Sequence, residues 1–159
     1  MPCDPALGAG AEGSVVTDRL AHLTKEAWRA FVRELQGRLA EHDVSFGHWT
    51  FLRILWERDG LTQRELSDEA GVAEPSTNAA IKSMEELGYV TRKRLPDNRK
   101  NIYVRLTPKG RALRVKLVPI AQAVNRDAVR GVPARDVEAA RRVLTTVTEN
   151  LIRSSRRKP

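Results

Sequence analysis

One break in hydrophobic period constrains this chain most. Through "AEPSTNAAIKSMEELG", residues 73–88, apolar side chains recur at helical spacing until Gly88 stops the pattern. Val90–Leu95 and Ile102–Thr107 then read as strands. Ile102, Val104 and Leu106 take one face, and Tyr103 and Arg105 take the other. Pro96-Asp97-Asn98 supplies the turn between them. Thr107 N-caps a new helix with Pro108 at its first position. The chain therefore sets one hairpin among helices.

The remaining segments are helical. Residues 1–16 read as a flexible tail. A helix starts near Thr17, with Asp18 in its first turn. It presents Trp28, Phe31, Val32, Leu35 and Leu39 on one face expected to be buried, and breaks at His42 and Asp43. "SFGHWTFLRILWERDG" is a second, strongly apolar helix ended by Gly60. Thr62 and Glu65 form a T-x-x-E capping box at the next helix start, whose Leu66 and Ala70 face inward. Gly71 makes a turn, and Pro75 belongs in the first turn of the helix that follows. After the hairpin, one long helix runs towards Gly131-Val132-Pro133 and another follows it. In the last helix Val137, Ala140, Leu144, Val147 and Leu151 form a narrow heptad-like seam of the kind that meets another helix.

Helix, helix, helix-turn-helix, hairpin, long helix, long helix is the order of a winged helix with helical extensions. The expected class is mainly α with a small β-hairpin wing (α+β). Its expected parts are residues 17–45 as an N-terminal dimerisation helix and 46–107 as a winged helix-turn-helix with its wing at 91–107. Residues 108–153 are expected to be C-terminal dimerisation helices, and 154–159 a basic tail.

Charge narrows the partners. The chain has 28 Lys+Arg against 20 Asp+Glu, a formal net charge of +8. That excess points to nucleic acid or an acidic membrane. No window approaches the apolar length of a transmembrane helix, and the first residues lack the pattern of a secretion signal. The lone cysteine, Cys3, fits a reducing cytoplasm.

The stretch from Leu61 to Gly110 closely resembles the MarR family of bacterial transcriptional regulators. The D-x-R wing element is Asp97-Asn98-Arg99, and the L-T-x-x-G element is Leu106-Thr107-Pro108-Lys109-Gly110. The resemblance implies a cytoplasmic, nucleoid-associated homodimer that binds double-stranded DNA at a pseudo-palindromic operator. It also implies release by a small molecule, often an aromatic acid, and no cofactor. Ala79 stands where many relatives carry Arg.

In a helix-turn-helix the second helix enters the major groove. Thr77, Ala80, Ile81 and Met84 are expected to face inward, while Pro75, Ser76, Asn78, Ala79, Lys82 and Ser83 face out. The candidate DNA contacts on this helix are Pro75, Ser76, Thr77, Asn78 and Lys82. Asn78 can pair bidentately with adenine, Ser76 with several bases, and Lys82 with a phosphate. Gln63 and Arg64, at a helix start, suit phosphate as well.

Residues 91–116 hold ten Lys/Arg and one acid. Arg99 is the candidate for a narrow minor groove. Arg92, Arg94 and Lys100 are candidates for phosphates, with Asp97 orienting Arg99 or capping the turn. Lys109 and Arg111 sit in a helix's first turn, where the macrodipole disfavours cations and a phosphate would resolve the conflict.

The seam Val137, Ala140, Leu144, Val147 and Leu151, with Leu20 and Leu23, is the expected dimer interface. Six of the eight aromatic residues lie within 28–56, around Arg53 in "WTFLRILW". Trp28, His48 and Trp49 are expected to wall an effector pocket in which Arg53 pairs with a carboxylate; plain core packing and an Arg53–Glu57 pair are the competing reading.

A metal sensor would need a ligand cluster, and His22, His42 and His48 lack the spacing of a helical pair. A thiol switch would rest on Cys3 alone. No catalytic motif is present, so no metal site and no enzyme is expected. A sequence-independent nucleoid-associated or RNA-binding winged-helix protein is the remaining alternative.

Overall fold

A computed structural model describes residues 19–157. The expected tail at 1–16, Cys3, the helix start at Thr17 and Asp18, and the final Lys158 and Pro159 lie outside the described residues. The elements in order are α1 (Leu20–Ala40), α2 (Phe46–Glu57), α3 (Gln63–Ala70), α4 (Glu74–Glu86), β1 (Val90–Leu95), β2 (Asn98–Leu106), α5 (Pro108–Ala128) and α6 (Ala134–Arg156). No helix among the described residues is long and apolar enough to cross a membrane.

The chain divides into two compact units, residues up to 122 and residues from 123 on. The first holds one hydrophobic core. Leu39 of α1, Val44, and Trp49, Phe51, Leu52 and Leu55 of α2 meet Leu66 of α3 and Ile81 and Met84 of α4. Tyr89, Val90, Val104 and Leu106 of the hairpin region and Leu113 and Leu117 of α5 complete it. The alternation on β2 thus buries Val104 and Leu106 and leaves Arg105 outside. The α1 face departs from expectation. Leu39 is buried, Phe31, Val32 and Leu35 are half-buried, and Trp28 is 58% exposed.

Local chemistry sets the element ends. Asp43 takes a positive φ of 58° at the break after α1, a conformation an Asx side chain tolerates. Ser45 then caps α2, accepting from the His48 amide at 3.1 Å while the Ser45 amide donates to His48 Nδ1 at 3.4 Å. Histidine here fills the place of the usual Glu or Gln. Thr62 and Glu65 form the expected box on α3, with the Thr62 amide 2.7 Å from Glu65 Oε2. Gly71 ends α3 in the left-handed region, φ 62°.

The hairpin differs from its sequence reading in two ways. β2 begins at Asn98, so only Pro96 and Asp97 remain as the turn. Lys93 pairs with Tyr103 and Leu95 with Asn98, so two steps along β1 face five along β2. The additional residues form a bulge that carries Arg99 and Lys100, and polar residues in a bulge show no alternation to read. A short third contact borders the hairpin: Thr62 bridges Tyr103, and the Val104 amide donates to the Leu61 carbonyl at 2.8 Å.

The L-T-P-K-G stretch joins the hairpin to α5. The Thr107 hydroxyl donates to the Gly88 carbonyl at 2.5 Å and accepts from the Gly110 amide at 3.0 Å. The Thr107 amide donates to the Tyr89 carbonyl at 3.0 Å. Gly110 lies so close that a Cβ there would stand 2.1 Å from the Tyr89 carbonyl oxygen. Its own carbonyl accepts from Trp56 Nε1 at 3.0 Å.

In the second unit α6 buries no residue. Val137 and Val147 are half-covered, and Ala140, Leu144 and Leu151 are exposed. Gly131, at φ 80°, makes the turn before it.

Candidate nucleic-acid interface

α3, the turn at Gly71 and α4 are held as a rigid corner. Ser67 Oγ donates to the Val72 carbonyl at 2.5 Å, and Thr77 Oγ1 reaches the same oxygen at 3.5 Å. The Val72 amide returns to the Ser67 carbonyl at 3.1 Å. These bonds correct one candidate contact: Thr77 is fully buried, and its hydroxyl is turned into the corner, away from any DNA. Pro75, Ser76, Asn78, Ala79 and Lys82 stand exposed along the outer face of α4, and Arg64 is exposed on α3.

Glu85 and Arg92 tie this face to the wing. Arg92 Nε lies 2.8 Å from Glu85 Oε2, and the Arg92 amide donates to Oε1 at 3.1 Å. These bonds hold the Glu85 carboxyl below its ordinary pKa. Arg92 Nη1 then reaches Asn78 Oδ1 at 3.5 Å, and Gln63 Nε2 reaches the same oxygen at 3.3 Å. Gln63, Asn78, Glu85 and Arg92 thus form one polar network across α3, α4 and β1. Glu85 was not legible as a member, because its partner lies across the hairpin root rather than one helical turn away. An open groove of about 270 Å³ runs beside it, lined by Glu85, Arg92, Lys93, Arg94 and Ile102.

The basic excess splits into two populations. Cations at the start of α5 find partners inside the protein. Lys109 Nζ donates to the Leu87 carbonyl at 2.9 Å and lies over the Tyr89 ring, Arg111 pairs with Asp59 at 2.7 Å, and Arg114 pairs with Glu57 at 2.8 Å. The expected conflict of Lys109 and Arg111 with the helix dipole is therefore met by the carbonyl end of α4 and by Asp59, without a phosphate. Asp59 also accepts from the Leu106 amide at 2.9 Å, and these bonds outweigh its desolvation and lower its pKa. Wing cations behave differently. Lys93, Arg94, Arg99 and Lys100 are exposed and form no ion pair among the described residues. Asp97 is exposed at the turn and forms no bond with Arg99, which corrects its expected orienting role.

The four candidate effector residues have separate surroundings. Trp49 is only 6% exposed and packs edge-on against Trp56 at 5.7 Å. Arg53 is exposed and lies over the Trp49 ring at 5.9 Å. It makes no pair with Glu57, whose carboxylate is taken by Arg114. Trp28 packs edge-on against Phe46 at 5.6 Å. His48 faces α4, its Nε2 3.1 Å from Ser83 Oγ. Burial lowers its pKa, favouring neutral imidazole. Among the described residues no three His, Cys, Asp or Glu side chains cluster as metal ligands, and His22 faces Glu26 at 3.2 Å.

The sequence pattern of the MarR family matches residues 44–102, from the residue before the α2 cap across the helix-turn-helix and most of the wing. Over that stretch the chain is similar to the MarR family. The chain is 30% identical to the HTH-type transcriptional regulator TtmR of Methylorubrum extorquens over 91 residues, which cover 57% of this chain and 47% of that protein. It spans about half the length of the curated relatives it matches. A MarR transcriptional regulator from Methanosarcina mazei Go1 has the same fold: TM-score 0.78 and 24% identity, over 86% of this chain and 98% of that one. Bordetella bronchiseptica BpsR, whose DNA binding is regulated by 6-hydroxynicotinic acid, aligns with TM-score 0.75 and 18% identity, over 82% and 98% of the two chains.

Proposed function

We propose that this chain is a sequence-specific DNA-binding transcriptional regulator, working as a homodimer on a pseudo-palindromic operator. The observation that carries the reading is the division of charge. Lys109, Arg111 and Arg114 at the start of α5 are engaged within the protein, whereas Lys93, Arg94, Arg99 and Lys100 of the wing form no ion pair among the described residues, and β1 of the wing packs beside α4. α4 would enter the major groove, Arg99 the adjacent minor groove, and Arg64, Lys82, Arg94 and Lys100 would hold phosphates. Support for the dimer comes from α6, whose exposed Leu144 and Leu151 continue a heptad-like seam, and separately from exposed Leu20 and Leu23 on α1.

Effector release belongs to the same proposal. Arg53 offers an exposed guanidinium, unpaired with any acid among the described residues, against the face of Trp49. That pairing suits a flat carboxylate, which would bond the guanidinium in two places.

Selection of bound duplexes from a random pool, with light scattering on the same sample, tests the core of the reading. An enriched inverted repeat bound by a dimer is expected. Steep salt dependence without sequence preference would favour a sequence-independent nucleoid-associated protein instead. For the effector, aromatic acids should raise the melting temperature of the wild type more than that of Arg53→Ala; equal shifts would remove Arg53 from the site.

A further inference from the structure

We infer that Asn78 reads its base as a hydrogen-bond donor and therefore selects guanine, not adenine. This rests on the proposal that α4 enters the major groove. Adenine recognition by asparagine needs both halves of the amide, with the oxygen accepting from N6 and the NH2 donating to N7. In this structure the oxygen is already engaged. Arg92 Nη1 lies 3.5 Å from Asn78 Oδ1, and Gln63 Nε2 lies 3.3 Å from it.

The orientation of the amide follows from its neighbours. A guanidinium has donors only, so the atom of Asn78 facing Arg92 must be the oxygen. Arg92 is held in place by two bonds to Glu85, through Nε at 2.8 Å and its main-chain amide at 3.1 Å. Gln63 agrees with this arrangement. Turning its amide over would bring its oxygen against Asn78 Oδ1, setting acceptor against acceptor. Its Oε1 is instead buried without a partner. Asn78 is exposed, and its two Nδ2 hydrogens are the groups left to face outward.

Donors facing the major groove favour guanine, which offers acceptors at both N7 and O6. Adenine sets its N6 donor against them, and cytosine offers only a donor. Gln63 and Arg92 therefore act as positioning residues for base choice.

Selection from a random duplex pool, run with the wild type and Asn78→Ala, identifies the base pair Asn78 reads as the one whose preference Asn78→Ala abolishes. Guanine is expected there in the wild type. Replacing that guanine with 7-deazaguanine should weaken wild-type binding roughly tenfold, the scale of one specific contact, and leave Asn78→Ala unchanged. The double substitution Gln63→Met and Arg92→Met, which removes both donors from Oδ1, should shift the same position towards adenine. Adenine in the wild type, a position insensitive to Asn78→Ala, or equal binding of the deaza duplex would each overturn the inference while leaving sequence-specific binding intact. A pool with no enriched sequence would refute the DNA-binding proposal and this inference together.

Discussion

Replacing Gly110 with alanine should destabilise the fold by about 3 kcal/mol, although alanine is the better helix former. Gly110 lies in the first turn of α5, and an added Cβ would sit 2.1 Å from the Tyr89 carbonyl oxygen and 3.2 Å from Leu106 Cδ2. The first neighbour is backbone and has no rotamer to escape into. It also accepts from the Thr107 amide at 3.0 Å and the Thr107 hydroxyl at 3.2 Å, so moving it disturbs the cap of α5. Overpacking of this kind costs ~1–3 kcal/mol, and a contact this close belongs near the top of that range. Weakening two hydrogen bonds adds about 1 kcal/mol each at most, and helix propensity returns about 1 kcal/mol. Gly37 provides the control. It lies within α1 with nothing within 4 Å of a built Cβ, so Gly37→Ala should stabilise by roughly 0.4–1 kcal/mol. Urea titration followed by tryptophan fluorescence measures both, with Trp56 bonded directly to the Gly110 carbonyl. A Gly110→Ala protein as stable as the wild type would show that the close approach is not a constraint.

Three further outcomes are expected. Arg99→Ala should weaken operator binding by ~1–3 kcal/mol in a titration at moderate salt, and an unchanged affinity would remove Arg99 from the interface. Burial holds His48 below its ordinary pKa of 6.5, so stability should be complete above 6.5 and fall as the pH drops through that value, because the unfolded chain takes up the proton first. Asp59 and Glu85, with lowered carboxyl pKa values, lose their contributions only in a more acidic window, below 3.8 and 4.5; His48→Gln keeps a capping-box side chain and should flatten the loss between pH 7 and 5.5, as denaturation at each pH would reveal. Thr62→Ala should cost about 1 kcal/mol in the same urea assay through loss of the α3 cap, and a value near zero would mean that Glu65 alone suffices.

The elements were legible wherever a short-range rule governs them. Thr62 and Glu65 announce a cap, Gly71 and Gly88 take the positive φ their turns require, and the alternation of Ile102, Val104 and Leu106 names the buried side of the wing. The MarR-family resemblance rests on that same stretch. The two faces of α4 were legible too, Thr77 on the inward one included. The partner of its hydroxyl, the Val72 carbonyl of the turn, was not, and that bond is what removes Thr77 from the candidate DNA contacts.

Charge marks the boundary between what sequence and structure decide. Counting bases and acids establishes an excess of cations over residues 91–116, since composition needs no coordinates. It cannot say which of them are free. Arg111 meets Asp59 across 52 positions and Arg114 meets Glu57 across 57, pairings that exist only after α5 packs beside the end of α2. The orientation of the Asn78 amide depends likewise on Arg92 arriving from the hairpin. Local rules act over a few residues and are written in sequence order. Ion pairs and hydrogen-bond polarity depend on distance in space, and the tertiary fold alone decides which cations stay unpaired and which atom of the Asn78 amide is already engaged.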